Sequence, residues 1–128
     1  MRLAIVLIAV LVAGVVAPAD AAELVMFRRA GCPWCAAWDR EIAPIYPKTD
    51  LGKRLTLKFV DLDGPAAFGI VLANPVRYTP TFVVVDKQRE VGRIEGYPGN
   101  AFFWSMLERL AARTPDSAAA SDGPLLSQ

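Results

Sequence analysis

The sequence contains no histidine and only two cysteines among its 128 residues. The lack of histidine excludes catalytic triads built on imidazole, His-ligated metal sites and the usual side-chain proton shuttle. Two thiolates alone cannot complete a four-ligand zinc site in a single chain. We therefore expect no metal, and reactive chemistry is left to Cys32 and Cys35.

The sequence also lacks an excess of charge of either sign. Lys and Arg together number 14 and Asp and Glu 13, so the net charge is +1. A nucleic-acid-binding protein shows a broad basic surface, and we expect no nucleic-acid partner here. Lys58, Asp61 and Asp63 lie around the end of a predicted strand, where we interpret them as solvated loop charges.

A long hydrophobic run occurs only at the N-terminus. Residues 3–16 are apolar except for glycine, but the run is shorter than the roughly 18–20 residues that a membrane span needs. Ala19-Asp20-Ala21 then has the small-x-small form of a signal-peptidase site. We predict that residues 1–21 are a signal peptide, cleaved after Ala21 in preference to Ala19, and that the mature protein is periplasmic. The alternative is an uncleaved leader that anchors the same domain outside the membrane.

The remaining residues have the patterns of one α/β domain, 22–113, followed by a tail. The tail, 114–128, is rich in Ala, Ser, Asp and Pro without periodicity, so we predict disorder there. Apolar runs and helical spacings predict the order β-α-β-α-β-β-α, with a parallel first strand pair and an antiparallel last pair. The predicted elements are strand 24–27, a helix from Cys32 that ends or kinks at Pro44 and Pro47, strand 55–60, helix 65–73, strand 81–85, strand 90–96 and a helix at about 101–113 capped by Asn100.

The two cysteines stand in the motif Cys32-Pro33-Trp34-Cys35, directly after the first predicted strand. At the start of a helix, unpaired N–H groups and the helix dipole stabilise a thiolate, so we expect Cys32 to be the nucleophile. Cys35 lies one turn further along, on the apolar face, where burial raises a thiol pKa and suits a resolving role. Pro33 suits the first helical turn, and Arg29 either supports the thiolate or faces solvent.

Other uses of the two cysteines stay open. An inert Cys32–Cys35 disulfide would close a very short loop and so stabilise the fold little. Cu(I) is soft enough to be held by two thiolates, which leaves a copper carrier as an alternative function.

Further motifs carry a resemblance to a known family. Over roughly residues 23–112, the chain resembles the thioredoxin superfamily. The resemblance is carried by strand 24–27, the Cys-Pro-Trp-Cys motif, Tyr78-Thr79-Pro80-Thr81 before a strand and the glycine-bearing run 91–97. More narrowly, the chain is similar to the small exported thioredoxin-like proteins found with bacterial sulfur-oxidation (Sox) genes.

The resemblance implies a minimal thioredoxin/glutaredoxin-like α/β fold, a four-stranded mixed sheet flanked by helices. It also implies a thiol–disulfide oxidoreductase whose redox-active group is the Cys32–Cys35 disulfide, with no cofactor. The Thr79–Pro80 bond is then expected to be cis and to lie beside the dithiol, where it binds a substrate strand and keeps metal from the sulfurs.

The sequence departs from many cytosolic thioredoxins at two points. Met26 stands where they carry a buried aspartate, which leaves water or a distant group to take the proton of Cys35. The dipeptide Pro33-Trp34 replaces Gly-Pro, and such changes near the sulfurs alter the redox potential.

Aromatic residues divide into two predicted groups. Trp34 is expected to be partly exposed and to contact substrate, or else to pack over the edge of the core. Tyr78 is expected to line the groove that binds substrate beside Thr79 and Pro80. Trp38 and Trp104 are expected in the core or on a helix face.

We therefore predict an exported monomer that reduces or exchanges disulfides of periplasmic partner proteins. A membrane thiol donor would supply its electrons, and the resemblance implies a partner in the thiosulfate-oxidising system, whose carrier protein bears a reactive cysteine. A disulfide-introducing oxidase resembling DsbA is the alternative within the same chemistry.

Overall fold

The computed structural model describes residues 21–65 and 69–115. Nearly all of the predicted signal peptide and most of the predicted tail lie outside these residues. Thr114, the first residue of the predicted tail, is buried, and its hydroxyl donates a hydrogen bond to the carbonyl oxygen of Ala111.

The described elements alternate strands and helices around a small sheet. Their bounds are β1 Glu23–Arg28, α1 Pro33–Glu41, a 3₁₀ turn Tyr46–Lys48, α2 Asp50–Arg54, β2 Thr56–Asp61, β3 Thr81–Asp86, β4 Arg89–Glu95 and α3 Asn100–Ala111.

The strands within the described residues form one mixed, four-stranded sheet in the order β2-β1-β3-β4. β1 pairs in parallel with β2 and antiparallel with β3, and β3 pairs antiparallel with β4. The predicted sheet is thus confirmed, including its parallel first pair and its final hairpin. Met26, in the middle of β1, lies opposite Phe59 of β2 and Phe82 of β3.

The two central strands are buried on both faces, which explains why their sequences are continuously apolar rather than alternating. On one face, side chains of α1 and α3 pack against alternate residues of β1 and β3. On the other face, Val25, Phe27, Val83 and Val85 form a second cluster, which is covered by residues of β2 and of the connection from 62 to 76.

The predicted helix 65–73 is wrong over its described part. Ala66–Phe68 lie outside the described residues, but Gly69 has φ +90° and Val71 forms a parallel β-bridge with Arg89. The Val71 N–H donates to the carbonyl oxygen of Gln88, and the Glu90 N–H donates to that of Val71. Main-chain pairing with β4 therefore replaces the helix.

The ends of the other helices also differ from prediction. α1 ends at Glu41, before the two prolines at which the predicted helix ends or kinks, and Ile45 between those prolines is exposed. Gly99, not Asn100, is the N-cap of α3, and no side chain caps it. The 3₁₀ turn and α2 were not predicted; Thr49 caps α2 by accepting a hydrogen bond from the Gly52 N–H at 3.0 Å.

Candidate active site

The two cysteines lie at the start of α1 and are joined by a disulfide. Their Cα atoms are 5.3 Å apart. Cys32 is the N-cap residue and Pro33 occupies the first turn, where its missing N–H costs no helical hydrogen bond. Cys32 Sγ accepts a hydrogen bond from the Cys35 N–H at 3.2 Å, so this sulfur occupies the position of a capping oxygen.

The surroundings of the two sulfurs are unequal. Cys35 is 1% exposed and belongs to the main hydrophobic cluster, whereas Cys32 is half-buried at its edge. Cys32 is therefore the sulfur that a partner molecule can reach, and Cys35 lies beneath it. The helix N-terminus favours a negative charge on Cys32, while the apolar surroundings of Cys35 favour the neutral thiol.

The loop between β1 and α1 brings Cys32 to the end of the sheet. Gly31 has φ +75°, a backbone conformation that residues with a Cβ rarely adopt. The Cys32 N–H donates to the carbonyl oxygen of Arg29 at 3.3 Å, which closes this tight connection.

A cavity of about 630 Å³ opens beside the disulfide. Both cysteines contribute to its wall, so it gives solvent a route toward the sulfurs. Its other lining residues include Arg28, Arg29, Phe59 and Asp61.

Arg28 joins the strand that precedes the dithiol to the helix that follows it. Its guanidinium donates two hydrogen bonds to the Asp39 carboxylate, at 3.0 and 2.6 Å, and lies 5.3 Å from the centre of the Phe59 ring. The hydrogen bonds to Asp39 raise the pKa of Arg28. Nothing in the sequence pattern distinguished Arg28 from Arg29, because the partner on α1 is remote in sequence.

Arg29 forms an ion pair with Asp63. Its Nε donates to both carboxylate oxygens of Asp63, at 3.0 and 2.9 Å, and the pair is exposed. Asp61 accepts a hydrogen bond from the Asp63 N–H, and Lys58 pairs with Glu23. Support of the thiolate by Arg29 stays a prediction.

The Thr79–Pro80 peptide bond is cis, and Pro80 is buried. The carbonyl oxygen of Pro80 accepts a hydrogen bond from the Gly96 N–H at 2.7 Å. Thr81, the next residue, lies opposite Phe27 at the end of β1 from which the chain continues to Cys32. The pairing of β1 with β3 thus places the loop before Thr81 and the dithiol at the same end of the sheet.

The aromatic residues separate into exposed and packed sets. Trp34 and Tyr78 are 62% and 60% exposed. Trp38 is fully buried, and its indole Nε1 has no hydrogen-bond partner among the described residues. Trp104 is half-buried and stacks on the Tyr46 ring with 6.0 Å between centroids.

No group of three or more Cys, His, Asp or Glu side chains within 21–65 and 69–115 is arranged to hold a metal ion. In the same part of the chain, no helix is both long enough and apolar enough to cross a membrane.

Among solved structures, the chain is similar to the periplasmic thioredoxin SoxS from Paracoccus pantotrophus in its reduced form. The two are 48% identical, the match covers 72% of this chain and 97% of that one, and the TM-score is 0.69. The chain is a SoxS-like member of the thioredoxin superfamily. In this fold, the Cys32–Cys35 pair makes the SoxS-like protein a thiol–disulfide oxidoreductase.

More distant thioredoxins support the fold alone. A thioredoxin from Thermus thermophilus is 23% identical with a TM-score of 0.57, over 81% of this chain and 84% of that one. The Malassezia sympodialis thioredoxin is 20% identical with a TM-score of 0.54, over 73% and 77%. No protein-family model and no curated protein sequence matches this SoxS-like chain.

Proposed function

We propose that the protein is a periplasmic disulfide reductase that uses Cys32 as nucleophile and Cys35 as resolving thiol. The unequal burial of the two sulfurs carries this proposal: Cys32 is half-buried at the N-cap of α1, and Cys35 is 1% exposed beneath it. The likeness to periplasmic SoxS supports export, by a signal peptide at 1–21.

The reaction transfers two electrons to the partner. The Cys32 thiolate attacks one sulfur of the partner disulfide, forming a mixed disulfide while the other partner sulfur leaves as a thiolate and takes up a proton. Cys35 then loses its proton and attacks Cys32 Sγ, so the mixed disulfide breaks and the partner leaves reduced. The enzyme ends with the Cys32–Cys35 disulfide that the structure contains.

The proton of Cys35 needs an acceptor other than the side chain at position 26. Met26, fully buried in β1, has no group that accepts a proton. The cavity beside the disulfide is lined by Cys35 and opens to solvent, and we assign the proton to water there.

The partner polypeptide is proposed to bind across the exposed residues that surround the dithiol, at the end of the sheet where α1 begins. Trp34 and Tyr78 offer apolar area, and the backbone of Thr79, presented by its cis bond to Pro80, offers hydrogen bonds to an extended strand. Pro33 begins α1, and Arg29 adds positive charge at the rim of the cavity.

The enzyme is proposed to act as a monomer, without a cofactor, in a sulfur-oxidising system. A membrane thiol donor returns two electrons and the disulfide opens again. The partner is a carrier protein whose reactive cysteine must stay reduced, a proposal that follows from the likeness to SoxS.

Trapping tests the roles of the two cysteines. In a Cys35→Ser variant the mixed disulfide cannot be resolved, so we expect a covalent adduct between Cys32 and its partner in periplasmic extracts, identified by mass spectrometry. The matched Cys32→Ser variant should trap nothing, and equal trapping by both variants would contradict the assigned roles.

Two measurements on the purified protein distinguish a reductase from a disulfide-introducing oxidase and from a copper carrier. A redox potential of about −270 mV supports a reductase, and one of about −120 mV supports a disulfide-introducing oxidase. Retention of one Cu(I) per reduced chain, with no adduct and no disulfide reduction, would instead favour a copper carrier.

A further inference from the structure

Glu90 and Arg93 form a nearly buried ion pair on β4, away from the two cysteines. Their side chains are 5% and 13% exposed. The Arg93 Nε donates to Glu90 Oε1 at 2.6 Å, and Nη2 donates to Oε2 at 2.7 Å. Burying two charges is costly, so stability alone is a weak reason for such a pair.

Both partners also bind the backbone of the connection that leads to Pro80. The Ala73 N–H donates to Glu90 Oε2 at 2.8 Å, and Arg93 Nη2 donates to the carbonyl oxygen of Asn74 at 2.6 Å. Arg93 Nη1 is 3.4 Å from the carbonyl oxygen of Pro75. Hydrogen bonds from Arg93 lower the pKa of Glu90, which keeps it ionised as an acceptor for Ala73.

The other end of this connection is held by Gly96, the residue after β4, and by Thr81, the first residue of β3. The Gly96 N–H donates to the Pro80 carbonyl oxygen at 2.7 Å, and the Thr81 hydroxyl donates to that of Tyr78. Residues 73–80 are therefore held near one end by Glu90 and Arg93 of β4 and at the other end by Gly96, and Tyr78 between these points is exposed.

We propose that Glu90 and Arg93 are positioning residues that hold residues 73–80 in the place where a partner polypeptide binds. The pair touches neither sulfur, so it acts through the backbone of residues 73–75 rather than on the reaction. This inference rests on the proposed function, since it assigns the partner to the Tyr78–Pro80 region.

The test compares a protein substrate with a small one. The double variant Glu90→Gln/Arg93→Met removes both charges together and so leaves no unpaired buried ion. Arg93→Lys keeps the charge but loses the planar fork that spans Glu90 and Asn74. Arg89→Met, an exposed arginine on the same strand, is the control.

The probes are insulin, a protein disulfide, and 5,5′-dithiobis(2-nitrobenzoate), a small disulfide that needs only an accessible thiolate. For both test variants we expect the KM for insulin to rise roughly threefold to tenfold at little-changed kcat. The rate with the small disulfide, the redox potential and all values for Arg89→Met should stay at wild-type level. Hydrogen exchange at the Ala73 amide should accelerate in the double variant alone.

Each outcome of this comparison either supports or overturns the positioning role. An unchanged KM for insulin, with only a lower Tm, would overturn the positioning role and leave the proposed function standing. Equal losses of activity with insulin and with the small disulfide would place the effect at the thiols and would also overturn the positioning role. A wild-type protein that reduces neither probe would contradict the proposed function itself. If the double variant does not fold, Arg93→Lys is judged by the same kinetic criteria.

Discussion

Arg28, the last residue of β1, forms an ion pair with Asp39 in the last turn of α1. The guanidinium donates to both carboxylate oxygens of Asp39, and the side chains are 31% and 37% exposed. The planar fork of arginine matches a carboxylate, which lysine cannot do.

Replacing Arg28 by lysine should therefore lower the free energy of unfolding, measured by urea denaturation. Solvent screens a pair this exposed, so we expect a loss of about 0.5–1 kcal/mol. Arg29→Lys is the matched control, because its pair with Asp63 is 49% and 58% exposed and should contribute less. Equal losses for the two variants would argue against a structural role specific to Arg28.

Tyr46 should make the free energy of unfolding fall as the pH becomes alkaline. Its hydroxyl is buried and donates to the Leu55 carbonyl oxygen at 2.8 Å, so Tyr46→Phe should cost about 1 kcal/mol at neutral pH. Burial raises the pKa of Tyr46 above its ordinary 10.0. The unfolded chain loses this proton more readily, so the contribution of Tyr46 is complete below pH 10.0 and falls as the pH rises further.

Urea denaturation at neutral pH and at about pH 11 checks this sign. The gap between wild type and Tyr46→Phe should shrink at the higher pH. Tyr78→Phe, in which the tyrosine is exposed, should match wild type at both. A gap that widens with pH would contradict the expectation.

The tryptophans of α1 should separate stability from substrate binding. Trp38 is fully buried among aromatic rings, so Trp38→Ala should lower the free energy of unfolding by about 3–5 kcal/mol. Trp34 is 62% exposed, and Trp34→Ala should change stability by less than about 0.5 kcal/mol. Its effect should instead be a higher KM for insulin, and an unchanged KM would remove Trp34 from the proposed binding surface.

Gly52 should tolerate no side chain, although it lies in a helix. A Cβ there would lie 1.8 Å from the carbonyl oxygen of Tyr46, which is backbone and cannot move aside. Alanine would otherwise favour a helix by up to about 1 kcal/mol, but we expect the clash to dominate and Gly52→Ala to destabilise by about 2 kcal/mol or more. Lys53→Ala, exposed in the same helix, is the control for thermal denaturation.

Much of the fold and the reactive pair could be predicted because the signals are local. Val83 and its neighbours form a continuous apolar run, and the run predicts a buried strand directly. Pro33 between the cysteines indicates the first turn of a helix, and this places Cys32 at its N-terminus.

What the sequence did not reveal depends on partners remote along the chain. Val71 lies in an apolar stretch that suits a helix, but it pairs with the backbone of β4. Arg93 looks like an ordinary strand residue until the fold brings the carbonyl oxygen of Asn74 to it. Short α2 carries too few residues to show a helical period.

Alkylation of the reduced protein by iodoacetamide at neutral pH, followed residue by residue with mass spectrometry, tests most directly whether the two thiols differ. We expect Cys32 to react at least about tenfold faster than Cys35, because the helix N-terminus stabilises its thiolate and Cys35 is buried. In denaturant the two rates should become similar. Equal and slow alkylation of both cysteines in the folded protein would contradict a poised nucleophile at Cys32.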